Sequence, residues 1–158
     1  AGPTTIDIIA DAAFYYGLVK FLGEQTRPVW SRLTFEEARE NFYAGARDGI
    51  GATMTWPTLG RIDVSNLVLN HLLDQAHEGL RSLGVDEELA DKYLKVIEGR
   101  AWHRQNGATW QLDVLDKLGA GTKPGAPERQ EALARLLRIY LENQGKGTPV
   151  HSWSTDVA

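Results

Sequence analysis

Residues Arg104 to Gln111, which read RQNGATWQ, place hydrogen-bonding side chains and one large aromatic ring on a bend between two helical patterns. An Asn-Gly pair favours a backbone with positive φ, so we expect the chain to turn at Asn106 and Gly107. Such a turn would present Arg104, Trp110 and Gln111 around one point. This segment is therefore the first candidate for a binding site.

The chemistry that this bend offers is recognition of an anion. The guanidinium of Arg104 is a planar fork that suits a carboxylate or a phosphate, and the amide of Gln111 both donates and accepts hydrogen bonds. A helix that begins near Ala108 would add its first N–H groups. A structural interpretation explains the segment equally well, with the Asn-Gly pair ending a helix, Trp110 in the core and Arg104 as a surface charge.

A second polar pair, Asn41 and Arg47, lies on a predicted helix and is a further candidate for contact with an anionic ligand. A solvated helix face is the simpler interpretation of that pair. No catalytic residue is predicted, because no Ser-His-Asp order and no glycine-flanked nucleophile occurs. No metal ligand is predicted either, since His71 and His77 have the wrong spacing on a helix to share a metal ion.

Hydrophobic periodicity predicts a mainly α fold, a bundle of five to six helices with one short β-hairpin near residues 52–64. The capping box of Thr34 and Glu37 marks one helix start, and Ser65 and Asp86 mark two more. The domain prediction has three parts: a helical core with the hairpin over 1–118, a Gly/Pro-rich connection over 119–127, and a C-terminal helix and tail of the same domain over 128–158.

The first predicted helix begins after a cap at Thr4 or Thr5 and ends near Gly23. Its apolar residues form two stripes and leave no continuous polar face, so we expect a central helix packed on most sides. If the chain is a fragment of a longer protein, part of this surface would face the remaining portion instead.

Length and composition limit the class of protein. The 158 residues suit one domain, and the absence of cysteine excludes disulfides, zinc–thiolate sites and thiol nucleophiles. A formal net charge of -4 argues against nucleic acid as a partner, because proteins that bind phosphate backbones usually carry a basic stripe. The longest apolar stretch, 6–22, is too short and too charged to cross a membrane. We therefore predict a cytoplasmic protein without a nucleic-acid or membrane partner.

The bend has a further property: Arg104 followed by residues 106–111 (NGATWQ) resembles the C-terminal signature of bacterial, actinobacterial-like carboxylate-amine ligases of the glutamate–cysteine ligase family. Other segments resemble the same region of the family in the same order. They are residues 1–4, 13–19, 40–42 with 46–49, 67–69 and 149–153. The resemblance covers nearly the whole chain, but only the last part of a family member.

Ligases of this family use ATP and Mg²⁺ to activate the γ-carboxylate of glutamate as an acyl phosphate, which the amine of cysteine or a similar acceptor then attacks. In the family the carboxylates that hold Mg²⁺ lie mainly on an antiparallel sheet that precedes the matched region. The resemblance therefore implies a fragment, inactive alone, that forms one wall of the substrate site in a longer parent. ATP and Mg²⁺ belong to that parent, and the fragment's partner is the parent's N-terminal part.

The resemblance also implies which residues contact the small amino-acid substrate or its phosphate in the parent: Arg47, Arg104, Asn106, Gly107, Trp110 and Gln111. The alternative function is a non-catalytic helical interaction domain. In that case the apolar surface of the first helix docks a partner or a second copy of the chain, giving a homo-oligomer, because exposed apolar patches commonly mark interfaces.

Overall fold

The computed structural model describes residues 2–119 and 125–157, and it is mainly helical with one two-stranded hairpin. The predicted fold class is confirmed. No helix of the described residues has the length and apolar character that a membrane span requires. The elements are α1 (Thr5–Gly23), α2 (Phe35–Asp48), β1 (Thr53–Trp56), β2 (Gly60–Asp63), α3 (Val64–Leu67), α4 (Leu73–Ser82), α5 (Glu87–His103), α6 (Gly107–Lys117) and α7 (Pro127–Lys146).

Reciprocal caps start the first two helices where the sequence predicts them. At α1, Oγ1 of Thr4 accepts the N–H of Asp7 (3.3 Å), and a carboxylate oxygen of Asp7 accepts the N–H of Thr4 (3.2 Å). At α2, Thr34 and Glu37 form the same pair of bonds (3.2 and 2.8 Å). These side chains satisfy N–H groups that a helix start leaves without an intrahelical partner.

The cap predicted at Ser65 is wrong. α3 begins at Val64, because Asp63 accepts the N–H of Asn66 (3.2 Å) and takes the capping position. The hydroxyl of Ser65 is buried and donates instead to the carbonyl of Ile50 (3.3 Å). Two neighbouring residues can both cap a helix, and contacts from outside the helix decide between them.

α3 and α4 form one continuous helical segment, interrupted by a π-helical turn at Val68–Leu72. If residues 64–82 are counted once, the described part of the chain contains six helices. The predicted connection 119–127 is described only at its ends, because residues 120–124 lie outside the described residues. The helix that follows, α7, begins at Pro127, the last residue of the predicted connection.

The hairpin predicted near residues 52–64 is confirmed. β1 and β2 pair antiparallel with Thr53 opposite Asp63. Asn41 of α2 fastens the hairpin, since its Nδ2 donates to the carbonyl of Thr55 (2.7 Å) and its Oδ1 accepts the N–H of Thr55 (2.7 Å). An isolated two-stranded hairpin is marginal in water, so these two hydrogen bonds to α2 help to stabilise it.

Two packing layers form the core. α1 lies on α4 and α5 at very short range, because a Cβ on Gly17 would lie 2.2 Å from the carbonyl oxygen of Ala76. The second layer joins α6, α7 and the C-terminal tail. Its buried side chains are Trp110, Val114, Leu136, Val150 and Trp153.

The opposite face of α1 is open to solvent, so the prediction of a helix packed on most sides is wrong. Tyr15, Tyr16 and Val19 are 64%, 63% and 52% exposed. α2 has no buried residue, and its Phe35 and Phe42 are 84% and 72% exposed. Side chains of both predicted stripes pack on α4 and α5, among them Ile6, Ala13 and Phe14, and the exposed side chains lie on the other side of α1.

Candidate functional site

The bend between α5 and α6 turns at Arg104 rather than at the Asn-Gly pair. Arg104 is left-handed (φ 51) and ends α5, whereas Asn106 is extended (φ -119). The prediction of positive φ at Asn106 and Gly107 is therefore wrong. The reason is that Asn106 serves as the N-cap of α6, where its Oδ1 accepts the N–H groups of Ala108 (2.9 Å) and Thr109 (3.0 Å).

The guanidinium of Arg104 is engaged by the hairpin. Nη1 and Nη2 donate to the two carboxylate oxygens of Asp63 at 3.1 and 2.8 Å, a bidentate arrangement. The hydrogen bond from Arg104 lowers the pKa of Asp63, and Asp63 raises the pKa of Arg104. Arg104 thus links the bend to the end of β2 at a partly exposed position.

Trp110 lies in the core. It is fully buried, its indole N–H donates to the carbonyl of Ser154 (2.9 Å), and its ring contacts those of Tyr140 and Trp153 at centroid distances of 6.2 and 5.1 Å. Gln111 bonds within its own helix, because its amide donates to the carbonyl of Gly107 (2.8 Å). Trp110 therefore holds the tail against α6.

Three of the predicted residues do share a cavity. It has a volume of about 400 Å³ and lies at the start of α6. Its lining includes Asn106, Gly107 and Gln111, together with Arg100 and Asp11. The bend therefore brings amide groups and one guanidinium to a common space.

The charged residues behind this cavity were not predicted as a site. Arg100 of α5 bonds to the carboxylates of Asp7 (2.8 Å) and Asp11 (2.5 Å) on α1. Asp7 is completely buried, and the Arg100 side chain is only 11% exposed. A signal exists in the sequence: two carboxylates four residues apart on an otherwise apolar helix require a cation nearby. The sequence does not say which of the arginines supplies it.

Gln105 is a second unpredicted residue. Its amide nitrogen donates to the carbonyls of Val150 (2.8 Å) and Trp153 (2.9 Å), and so it fastens the tail to the bend. Nothing in its local sequence distinguishes it from a solvated glutamine. Its role depends on its two partners, Val150 and Trp153, which follow it in the sequence by 45 and 48 residues.

Arg47 lies in a different cavity, of about 460 Å³, between α2 and the hairpin. Its Nε and Nη2 donate to Asp48 at 2.9 and 2.7 Å, which raises the pKa of Arg47 and lowers that of Asp48. The two sites approach each other at the end of α2, where a Cβ on Gly49 would lie 3.7 Å from Nδ2 of Asn106. Arg61 and Arg39 also line this cavity.

Within residues 2–119 and 125–157, no three His, Asp or Glu side chains converge in a way that could hold a metal ion. The groups that the site presents are side-chain amides and guanidiniums paired with carboxylates, and groups of these kinds can bind an anion. In comparisons with known proteins, no family model, no curated protein and no solved structure matches this chain.

Proposed function

We propose that this chain is the helical C-terminal part of an ATP-dependent carboxylate-amine ligase of the glutamate–cysteine ligase type, acting within a longer parent protein in the cytoplasm. The sequence supports the proposal through the resemblance at residues 104–111 and in segments on either side. Contacts between two of those segments add support: the amide nitrogen of Gln105 in the bend donates to the carbonyls of Val150 (2.8 Å) and Trp153 (2.9 Å) in the tail.

One observation supports the proposal most directly, namely the apolar surface that the described residues leave open. The outer face of α1 presents Tyr15, Tyr16 and Val19, and α2 presents Phe35 and Phe42. Exposed apolar surface of this kind commonly marks a site of contact with a partner. In our proposal the catalytic sheet of the parent packs on these two helices.

Each half of the site has a role in this proposal. The cavity at the start of α6 forms one wall of the substrate pocket, where Asn106 and Gln111 offer amide groups beside the ion pair of Arg100 and Asp11. Arg47 and Arg104 contact substrate or phosphate only after their present carboxylate partners are displaced. The carboxylates that hold Mg²⁺ belong to the parent's sheet, and ATP supplies the phosphoryl group that activates the substrate carboxylate.

Activity assays test the proposal. The parent, expressed from the coding sequence that extends upstream of Ala1, is expected to release ADP only when glutamate and cysteine are both present. The 158-residue chain alone is expected to release none. Turnover by the short chain, or a parent that is inactive with both amino acids, would contradict the proposal.

A variant of the parent tests the bend itself. Arg104→Ala should lower kcat/KM by about tenfold or more if this guanidinium positions substrate. It should leave Tm nearly unchanged, because partly exposed ion pairs contribute little stability. Arg81→Ala is the matched control, since Arg81 is an exposed arginine whose ion pair is with Glu78 (3.3 Å). An equal effect of both variants on kcat/KM would remove Arg104 from the site.

The open face of α1 also supports a second function, a non-catalytic interaction or dimerisation domain. Under that function the isolated chain forms a dimer, and Tyr16→Lys with Val19→Lys returns it to a monomer in light scattering. Arg104→Ala in a longer protein would then have no effect. An isolated chain that stays monomeric at high concentration would exclude dimerisation through α1.

A further inference from the structure

A cavity of about 210 Å³ lies where α1 ends and the hairpin turns, and it shares no lining residue with the two cavities described above. Four segments that are distant in sequence form its walls. They contribute Phe21 at the end of α1, Arg32 in the connection that follows, Trp56 in the hairpin and His71 in the π-helical turn. The proposed ligase function does not use this cavity.

Three departures from regular structure occur around this one cavity. His71 lies in the π-helical turn Val68–Leu72, and such turns are frequent at functional sites. Thr58, a β-branched residue, is left-handed (φ 71) in the hairpin turn. Oε1 of Gln75 is buried and accepts no hydrogen bond from any described residue. Each departure costs stability, and proteins retain such costs mainly at functional sites.

The polar edge of the cavity carries positive charge only. The Arg32 guanidinium forms no ion pair or hydrogen bond with any residue of 2–119 or 125–157, and the described lining contains no Asp or Glu. Gln25 is not available, because its amide already donates to the carbonyl of Phe21 (3.2 Å). In a chain with 21 acidic residues, a cavity with an unpaired guanidinium and no carboxylate favours an anionic ligand group.

Apolar side chains form one part of the remaining lining, and the polar side chains of Gln25, Thr58 and Gln75 form the other. The rings of Phe21 and Trp56 face the space together with Leu22 and Pro57. Drug-sized ligands occupy cavities of about 300–1,000 Å³, so this smaller space suits one ring or two fused rings. A ligand with a flat apolar body and one negative group matches the two rings and the guanidinium of this lining.

We propose that this cavity binds a small aromatic carboxylate. The ring packs against Phe21 and Trp56, and the carboxylate pairs with the guanidinium of Arg32 beside the imidazole of His71. The pairing is favourable because a guanidinium matches a carboxylate with two parallel hydrogen bonds. The turn at 68–72 places His71 at the same edge, and Thr58 holds the hairpin loop beside it.

Titration with indole-3-acetate, followed by ¹H–¹⁵N NMR, tests the proposal on the 158-residue chain. We expect binding with a Kd of about 1 mM or below, with shifts in the Trp56 indole N–H and in the amides of 56–59 and 70–72. Indole-3-acetamide has the same ring and size without the charge, and it should bind about tenfold more weakly or not at all. Inorganic phosphate should cause no shift at Trp56.

The same substitution, arginine to glutamine, at two positions makes the test more specific. Arg32→Gln should weaken indole-3-acetate binding by about tenfold. Arg27→Gln removes an exposed arginine of the same connection that does not line the cavity, and it should leave the affinity unchanged. Far-UV circular dichroism establishes that both variants fold. Equal binding of acetate and acetamide, equal affinity of the two variants, or shifts confined to other parts of the chain would overturn the proposal.

Discussion

Asp7 joins three parts of the chain through one buried carboxylate. It accepts the hydroxyl of Thr4 (2.7 Å), the guanidinium of Arg100 (2.8 Å) and the N–H of Val150 (3.3 Å). A charge with no solvent exposure is costly unless it is both paired and hydrogen-bonded. The sequence shows the charge on an apolar helix, but the partners lie 93 and 143 residues away and follow only from the fold.

Removing the cation from this network should be strongly destabilising. We expect Arg100→Ala to lower the free energy of unfolding by about 3 kcal/mol or more, because the buried carboxylate of Asp7 would lose its partner. Arg81→Ala, which breaks an exposed ion pair, should cost less than about 0.5 kcal/mol. Urea unfolding measures both values. A loss below about 1 kcal/mol in Arg100→Ala would mean that hydrogen bonds alone support the charge.

His151 lies close enough to Asp7 and Arg100 for their charges to act on its pKa, and its protonation gives the stability a defined dependence on pH. Its ring stacks on that of His103 at a centroid distance of 6.0 Å and an angle of 3°, and its buried Nδ1 has no described partner. Burial lowers the pKa of His151, and His103 and Arg100 lower it further, against an opposing effect of Asp7. The folded state therefore binds this proton less readily than the unfolded state does.

The sign of the pH effect follows from that difference. Above pH 6.5, the ordinary value for histidine, the ring is neutral in both states and the stability is fully present. As the pH falls from 6.5 through the lower folded pKa, the unfolded state takes up the proton first and stability is lost. Urea unfolding at pH 7.5 and 5.5 should show this loss in the natural sequence and a smaller one in His151→Gln. Identical losses in the two proteins would assign the effect to other groups.

Several helix starts follow from local sequence here, whereas contacts between elements do not. The capping box at Thr34 uses side chains three residues apart, so the sequence predicts it. At α1 the sequence predicts a cap at Thr4 or Thr5 but not the reciprocal bond to Asp7. At the bend the sequence predicts a turn, but the left-handed residue is Arg104, because Asn106 has a better use as a cap. The placement of Trp110 in the core depends on a tail some forty residues later.

α1 packs closely on α4 because two glycines, Gly17 of α1 and Gly79 of α4, lie at the contact. This contact between two helices can be tested by substitution. A Cβ on Gly17 would lie 2.2 Å from a backbone oxygen of α4, so Gly17→Ala must force the helices apart. We expect a loss of about 3 kcal/mol or more in the free energy of unfolding.

Gly23→Ala is the matched control for that change on the same helix. A Cβ there meets nothing within 4 Å, so alanine should be neutral or stabilising by up to about 1 kcal/mol through its higher helix propensity. Thermal and urea unfolding compare the two variants. Similar stabilities for Gly17→Ala and Gly23→Ala would show that α1 and α4 do not pack as closely as described.

For the whole molecule, the distribution of apolar surface differs most from what the sequence predicts. α1 is apolar all round, a composition typical of a buried helix, yet one side is open. The apolar composition of α1 predicts that its surface is buried, but it does not identify the element or partner that buries it. We propose that the exposed apolar side chains in the described part of the chain are contact surface, and this proposal has a consequence for stability.

Residues kept for contact with a partner should be dispensable for folding of the chain itself. We expect Phe35→Gln and Val19→Gln to change the free energy of unfolding by no more than about 0.5 kcal/mol, because exposed side chains contribute little to the fold. Leu80→Ala, at a site only 4% exposed, should cost about 3 kcal/mol. Urea unfolding gives all three values, and light scattering should show less self-association in the two glutamine variants. A cost near that of Leu80→Ala in either glutamine variant would mean that these side chains stabilise the fold rather than an interface.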